Sequence, residues 1–336
     1  MTMDVVVEMI DVFPHDRPVR SIKRDERRLF ERPGAAQMKF LTADIEPLKV
    51  YTLPSKYAPV AFGPPRGVFE GPYLRLEWQN INGRQPFYHR NADADEIGFQ
   101  ICGERTLMTE LGTLELRPGD FSCIPVTVAH DNFGREDIHL IFYLHGPAIS
   151  NVPPHTLSKY RMPPFEGWEE ASKVEVSTNG LGGPRCDVAS GMTDERMLLN
   201  AARDCKETIQ LLRAPEASDS VEWIYKAPRI WIGHTRTTCG ARRTYQRHMS
   251  GDEIQYQVSG TRTLLSQRGV VTLDAGDFVC IPLGCAFTSI AQAESRHISV
   301  LTAETTPPVR DPSRSADVNF ADFLATLPAN SLEVSQ

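Results

Sequence analysis

Residues 95–125 read DEIGFQICGERTLMTELGTLELRPGDFSCIP, and residues 252–282 read DEIQYQVSGTRTLLSQRGVVTLDAGDFVCIP. The two stretches align without a gap at an offset of 157 residues, with 16 of 31 positions identical. Chance does not give such a match, so the chain carries a duplicated module. Each copy is written as strands. A short, mostly apolar stretch ends at Gly103 in one and Gly260 in the other, and PGD (118–120) or AGD (275–277) marks a turn before the next strand. Short strands at close spacing, with glycine turns and no sustained helical period, predict an all-β fold of the sandwich or barrel type.

Working outward, YLRLEWQN (73–80) and EWIYKAPRIWI (222–232) read as further strands of their modules. The first module is expected over 61–147 and the second over 216–304. Between them, 148–215 reads as a linker, rich in Pro and Gly at its start, with a helical pattern in GMTDERMLLNAARDCKETIQLLR (191–213). Residues 1–60 read as an irregular N-terminal arm. Residues 305–336 read as a C-terminal tail with a short helix at 320–327. An arm and a tail of this composition suit wrapping around a neighbouring subunit.

The chain has 336 residues, with 25 Pro and 23 Gly, and a net charge of −7. Its Lys and Arg are scattered, which excludes a nucleic-acid-binding stripe. No stretch is long and apolar enough to span a bilayer, and the N-terminal apolar run contains acidic residues, unlike a signal peptide. There are seven cysteines and no CxxC pair; Cys123 and Cys280 sit in apolar runs and read as buried thiols. A reducing, cytoplasmic compartment is expected.

In the first module Gly83 is followed by five residues and then by His89, Arg90 and Asn91; Glu96 comes four residues later and Gly103 closes the stretch. Further on, Gly119 is followed by Pro125 and His130. This spacing resembles the two motifs of the cupin superfamily, and the duplication resembles a bicupin. The resemblance implies two jelly-roll (double-stranded β-helix) barrels with short helices in arm, linker and tail. It also implies that His89, Glu96 and His130 bind a metal in the first barrel. Asn91 stands where many cupins have a second histidine, and it is a candidate ligand or ligand-orienting residue. Two imidazoles and one carboxylate suit Fe(II), leaving positions for substrate and O2; Mn, Ni and Zn are the alternatives.

The second module serves as an internal control. His89 becomes Gln246, Asn91 becomes His248, Glu96 remains Glu253 and His130 becomes Phe287. A three-ligand site is therefore expected in the first module only. His139 recurs as His297 in the degenerate copy and reads as structural; so do Arg105 and Arg262.

FYHRN (87–91) ahead of Glu96 is similar to the iron site of homogentisate 1,2-dioxygenase, and the layout of two modules resembles the gentisate and salicylate dioxygenases. The large subunit of two-component hydroquinone dioxygenases is similar in size and in its His-x-Asn set. These resemblances imply an Fe(II)-dependent, extradiol-type dioxygenase that opens the ring of a hydroquinone- or salicylate-type aromatic with O2. The alternatives are a metal-dependent decarboxylase, lyase or isomerase without O2 chemistry, and a non-catalytic small-molecule-binding bicupin. Candidate acid–base or substrate-contacting groups are His145, Gln100, Tyr88 and Arg90, with Tyr143 a further one. The expected partners are a small aromatic substrate and O2, with neither nucleic acid nor membrane. The chain is expected to form a homo-oligomer, and a separate small subunit stays open.

Overall fold

The computed structural model describes residues 5–14, 17–31, 46–53, 60–165, 168, 170–181, 188–216, 219–239 and 243–327. Among these the duplicated sequence folds into two β-barrels. In the first, two long strands, Asp95–Thr109 and His130–Leu144, pair antiparallel and bend through both walls of the barrel. Their counterparts in the second barrel are each broken in two: Asp252–Ser259 with Arg262–Ser266, and Phe287–Ile290 with Ser295–Thr302. Gly103 and Gly260 mark the bend in each copy with φ of 66° and 68°. A Cβ there would run into the carbonyl of Glu136 or Glu294, so both positions need glycine.

The register preserves the repeat. His130 pairs with His89 in the first barrel, and Phe287 pairs with Gln246 at the same place in the second. The two barrels share one large core. Leu74, Leu76, Trp78, Phe99 and Phe142 of the first pack with Ile232, Tyr256, Phe278, Ile298 and Val300 of the second. The strand Leu74–Arg84 therefore shows its apolar residues to the other barrel and its polar residues, Arg75, Glu77 and Gln79, to the inside of its own.

The arm differs from the irregular segment expected over 1–60. It holds strands Val5–Asp11, Arg20–Asp25 and Lys49–Thr52 and helix Glu26–Phe30. It does not stay with the module that follows it: Val5–Asp11 pairs parallel with Thr244–His248, and Lys49–Thr52 pairs with Asp277–Ile281, both in the second barrel. The linker does the reverse. Val174–Thr178 pairs parallel with Tyr88–Asn91, and Gln210–Arg213 pairs with Asp120–Ile124, both in the first barrel. The helical pattern of 191–213 forms a helix at Glu195–Asp204, capped by Asp194.

Arm and linker are themselves copies. DERRLF (25–30) matches DERMLL (194–199). Glu26 takes hydrogen bonds from Arg243 and Tyr245, and Glu195 takes them from Arg84 and Tyr88. The tail strand Arg314–Ser315 pairs with Lys49–Thr52, and the tail helix Phe320–Thr326 stacks Phe320 on Phe30. Arm and tail thus wrap the chain's own second barrel, where the composition had suggested a neighbouring subunit. The six described cysteines are free. Cys123 and Cys280 are half-buried, and burial of the sulfur pushes both thiols up. No helix among the described residues is long and apolar enough to cross a membrane.

Candidate metal centre

Strand alternation decides what Tyr88–Asn91 presents inward. His89 and Asn91 face the barrel interior; Tyr88 and Arg90 face out. Glu96 enters from the start of the next strand, after the turn at 92–94, and His130 begins the strand opposite. One donor atom from each of His89, Glu96 and His130 lies within 4.8 Å of the others. Glu96 Oε2 is 3.5 Å from His130 Nε2 and 4.0 Å from His89 Nδ1. Donors about 2.1 Å from one ion sit roughly 3.0–3.4 Å apart, so a small inward closure brings the three onto a common ion.

The surroundings fix each donor. His89 Nε2 is 2.6 Å from Thr178 Oγ1, which comes from the linker strand. His130 Nδ1 is 3.3 Å from the Val128 carbonyl. Asn91 Nδ2 donates to Glu96 Oε2 at 2.8 Å, so Asn91 orients the carboxylate. Burial pulls the His89 imidazole down to about 4, helped by the neighbouring His130. It is therefore neutral at physiological pH, the form that ligates. Burial acts to raise the Glu96 carboxyl, but His130, His89 and the Asn91 hydrogen bond outweigh it and hold it below the usual range.

Glu96 is a buried carboxylate, and among the described residues no arginine or lysine forms an ion pair with it. The second barrel shows the contrast. There Glu253 accepts from His248 Nε2 at 2.7 Å, and His248 Nδ1 lies 2.8 Å from Asp11. These partners raise the His248 imidazole to about 10 against the opposing effect of burial, so it is an imidazolium. The second carboxylate is neutralised from within the protein. The first has Asn91 and Thr178 in the places of His248 and Asp11, and so lacks that internal ion pair. Two imidazole nitrogens and an unneutralised carboxylate are a donor set that fits a divalent metal.

The three donors line a cavity of about 280 Å³. Its other walls come from Arg75, Glu77 and Gln79 on one strand, Asn132, Ile141 and Tyr143 on another, and Phe87. Val176, Thr178 and Gly180 of the linker close it. Asp93 anchors that closure, accepting from the Gly180 amide at 2.6 Å. Burial raises the Glu77 carboxyl, against the pull of Arg75. Burial also pushes the Tyr143 phenol up, with the Glu96 charge adding to it.

The four expected acid–base or substrate groups lie elsewhere. Tyr88 donates to Glu195 at 2.7 Å on the outer side of its strand. Arg90 is held by Glu175 at 3.0 Å and Glu110 at 2.7 Å. Gln100 is inside the barrel but donates to Asp137 at 2.7 Å, below the cavity in a buried cluster with His139 and Arg105. His145 is exposed, edge-on to Tyr73. Only Tyr143 of the sequence candidates beyond the ligand set borders the cavity. Arg75, Glu77 and Gln79 had a signal, polar residues at every second position of 75–79, read in the sequence only as a strand.

No family model matches the sequence, and no curated protein matches it. Among solved structures, the Mn(II)-containing oxalate decarboxylase of Bacillus subtilis is 14% identical, with 94% of this chain and 90% of that one covered at a TM-score of 0.47. Salicylate 1,2-dioxygenase of Pseudaminobacter salicylatoxidans is 11% identical, with 69% and 71% covered at 0.42. A cupin 2 conserved barrel domain protein of Leptotrichia buccalis is 10% identical, with 77% and 98% covered at 0.46. The described residues of this chain are themselves mostly β, in two barrels, with the His–Glu–His cluster in the first.

Proposed function

We propose that the first barrel is the active site of an Fe(II)-dependent, extradiol-type dioxygenase, and that it opens the ring of a hydroquinone- or salicylate-type aromatic with O2. The observation that carries this reading is the donor set. His89, Glu96 and His130 approach from one side of a cavity and leave its open side for exogenous ligands. When bound there, a redox-active metal would supply the electron transfer that O2 chemistry needs.

The chain's own residues bind and orient. The cavity has room for a single-ring acid, and Phe87, Ile141 and Val176 offer flat apolar walls to a ring. Among the described residues Arg75 is the one cationic residue lining the cavity; it is ion-paired with Glu77 but its Nε has no partner, so it is the group that meets a substrate carboxylate. Tyr143 stands in register opposite Glu96 and keeps its proton, so it donates to a substrate oxygen held near the cluster.

The test is anaerobic loading of the full chain with Fe(II), followed by O2 uptake with gentisate, homogentisate, hydroquinone and salicylate. Uptake with a ring-opened product supports the reading; none with any of the four overturns it. Glu77 favours one second reading, a decarboxylase, lyase or isomerase using Mn, Ni or Zn. A buried carboxyl raised toward neutrality beside the cluster is suited to deliver a proton. Turnover without O2 consumption, lost in Glu77→Gln with metal retained, would favour it.

A further inference from the structure

The second barrel has lost its metal set but kept a cavity. It measures about 710 Å³, larger than the cavity of the first barrel. Register explains the difference in lining. Thr235 stands opposite His297 as Gln79 stands opposite His139, and Gly233 stands opposite Ser299 as Glu77 stands opposite Ile141. Thr244 replaces Phe87 at the 157-residue offset. The large or charged groups of the first cavity are thus exchanged for small and hydroxylated ones.

Gly233 has a second effect. A Cβ there would lie 2.9 Å from the ring of Trp223, so the glycine admits the indole into the wall. The cavity therefore has an aromatic face, from Trp223 and Phe287, and a rim of hydroxyls from Thr235, Thr237, Thr288 and Ser289.

Two of its buried polar atoms lack partners. Thr235 Oγ1 and His297 Nδ1, on neighbouring strands in register, have no hydrogen-bond partner, and both residues are more than nine-tenths buried. Burial and the charge of Arg262 hold the His297 imidazole well below its usual value, so it is neutral. The charges at and just behind its walls, Asp11, Asp219, Glu253, His248 and Arg262, sum to about −1. That repels an anionic aromatic acid. Unpaired neutral donors and acceptors next to an aromatic face are what a ring carrying several hydroxyls satisfies, with its C–H face on the indole.

We propose that the second barrel is a metal-independent binding site for a neutral polyhydroxylated small molecule, a sugar or cyclitol.

The test uses the full-length chain, with D-glucose, D-galactose and myo-inositol as probes and gentisate as the anionic control, read by saturation-transfer NMR and calorimetry. At least one neutral probe is expected to bind at millimolar concentration, equally before and after metal is removed with a chelator. Thr235→Val keeps the shape and removes one partner, and is expected to weaken binding about tenfold. Gly233→Val, which pushes the indole out, is expected to abolish it, with folding checked by circular dichroism. If none of the three neutral probes binds, if binding disappears with the metal, or if Thr235→Val binds as the parent does, the proposal is overturned. None of these outcomes bears on the reaction of the first barrel.

Discussion

Thr178 lies outside the barrel module, in the linker strand, yet its hydroxyl is 2.6 Å from His89 Nε2. An imidazole that offers one nitrogen to a metal has its ring set by the partner of the other nitrogen, and loss of such a partner costs roughly 10–100-fold in metal affinity. That corresponds to about 1.4–2.7 kcal/mol. Thr178→Val removes the hydroxyl and keeps the β-branched shape, and the backbone pairing of Thr178 with Asn91 is untouched. The expected outcome is a folded protein whose Fe(II) or Mn(II) affinity falls by one to two powers of ten. Thr178→Ser should stay near the parent, and His89→Ala should fall furthest. The assay is anaerobic titration of metal-free full-length protein against a chromophoric chelator, with thermal melting as the control for folding. If Thr178→Val binds metal as the parent does while His89→Ala does not, the linker does not position the ring and the argument fails.

Other outcomes follow from the same contacts. His130→Ala should purify folded with its metal content lost, whereas Phe287→Ala should leave metal content intact; the opposite pattern by elemental analysis would refute the assignment of the metal to the first barrel. Tyr88→Phe should cost about 1–2 kcal/mol by denaturant titration, because a buried hydroxyl bond is lost, with metal content and turnover unchanged. His248→Gln leaves Glu253 buried without its imidazolium and should cost about 3–5 kcal/mol. The parent should show the matching pH dependence. The folded His248 value of about 10 lies above the unfolded 6.5, so its stabilisation is full below 6.5 and is lost as pH rises toward 10. Glu253, lowered in the folded state, loses its share as the solution is acidified. A melting temperature in the parent that stays flat from neutral pH to above 10 would count against the ion pair.

The barrels and the meeting of His89, Glu96 and His130 were legible in the sequence because each rests on a strict spacing. An ungapped repeat fixes the strands, and His89, Glu96 and His130 fall at motif positions. Four acid–base candidates lie away from the cavity: strand parity says which side of a strand a residue faces, not how deep in the barrel it sits or who else claims it. Gln100 has the right parity and is claimed by Asp137. Arg75, Glu77 and Gln79 were passed over because their strand inverts the usual pattern: its apolar face is covered by a second barrel, and no single module reveals that. The arm was read as irregular because DERRLF and DERMLL are short and separated by 169 residues, outside the 157-residue frame of the main repeat.

That exchange of arm and linker places a difference between the two barrels at two contacting positions. In the first barrel the pair is Asn91 and Thr178; in the second it is His248 and Asp11, in the same parallel register. The carboxylate they surround, Glu96 or Glu253, is common to both. An imidazole held between two carboxylates is charged and cannot ligate, and it removes the negative charge that would attract a cation. Combining Asn91→His with Thr178→Asp should therefore transplant the internal ion pair into the first barrel. Asn91→His alone adds an imidazole with no second carboxylate to hold its proton, and it should retain metal. The double variant should lose metal by more than Thr178→Val does, while its melting temperature stays at or above that of the metal-free parent, since Glu96 gains a counter-charge. Elemental analysis and chelator competition on the two variants decide it. A double variant that binds metal as tightly as Asn91→His alone would show that internal neutralisation of the carboxylate is not what empties the second barrel, and would leave Phe287 and Gln246 to account for it.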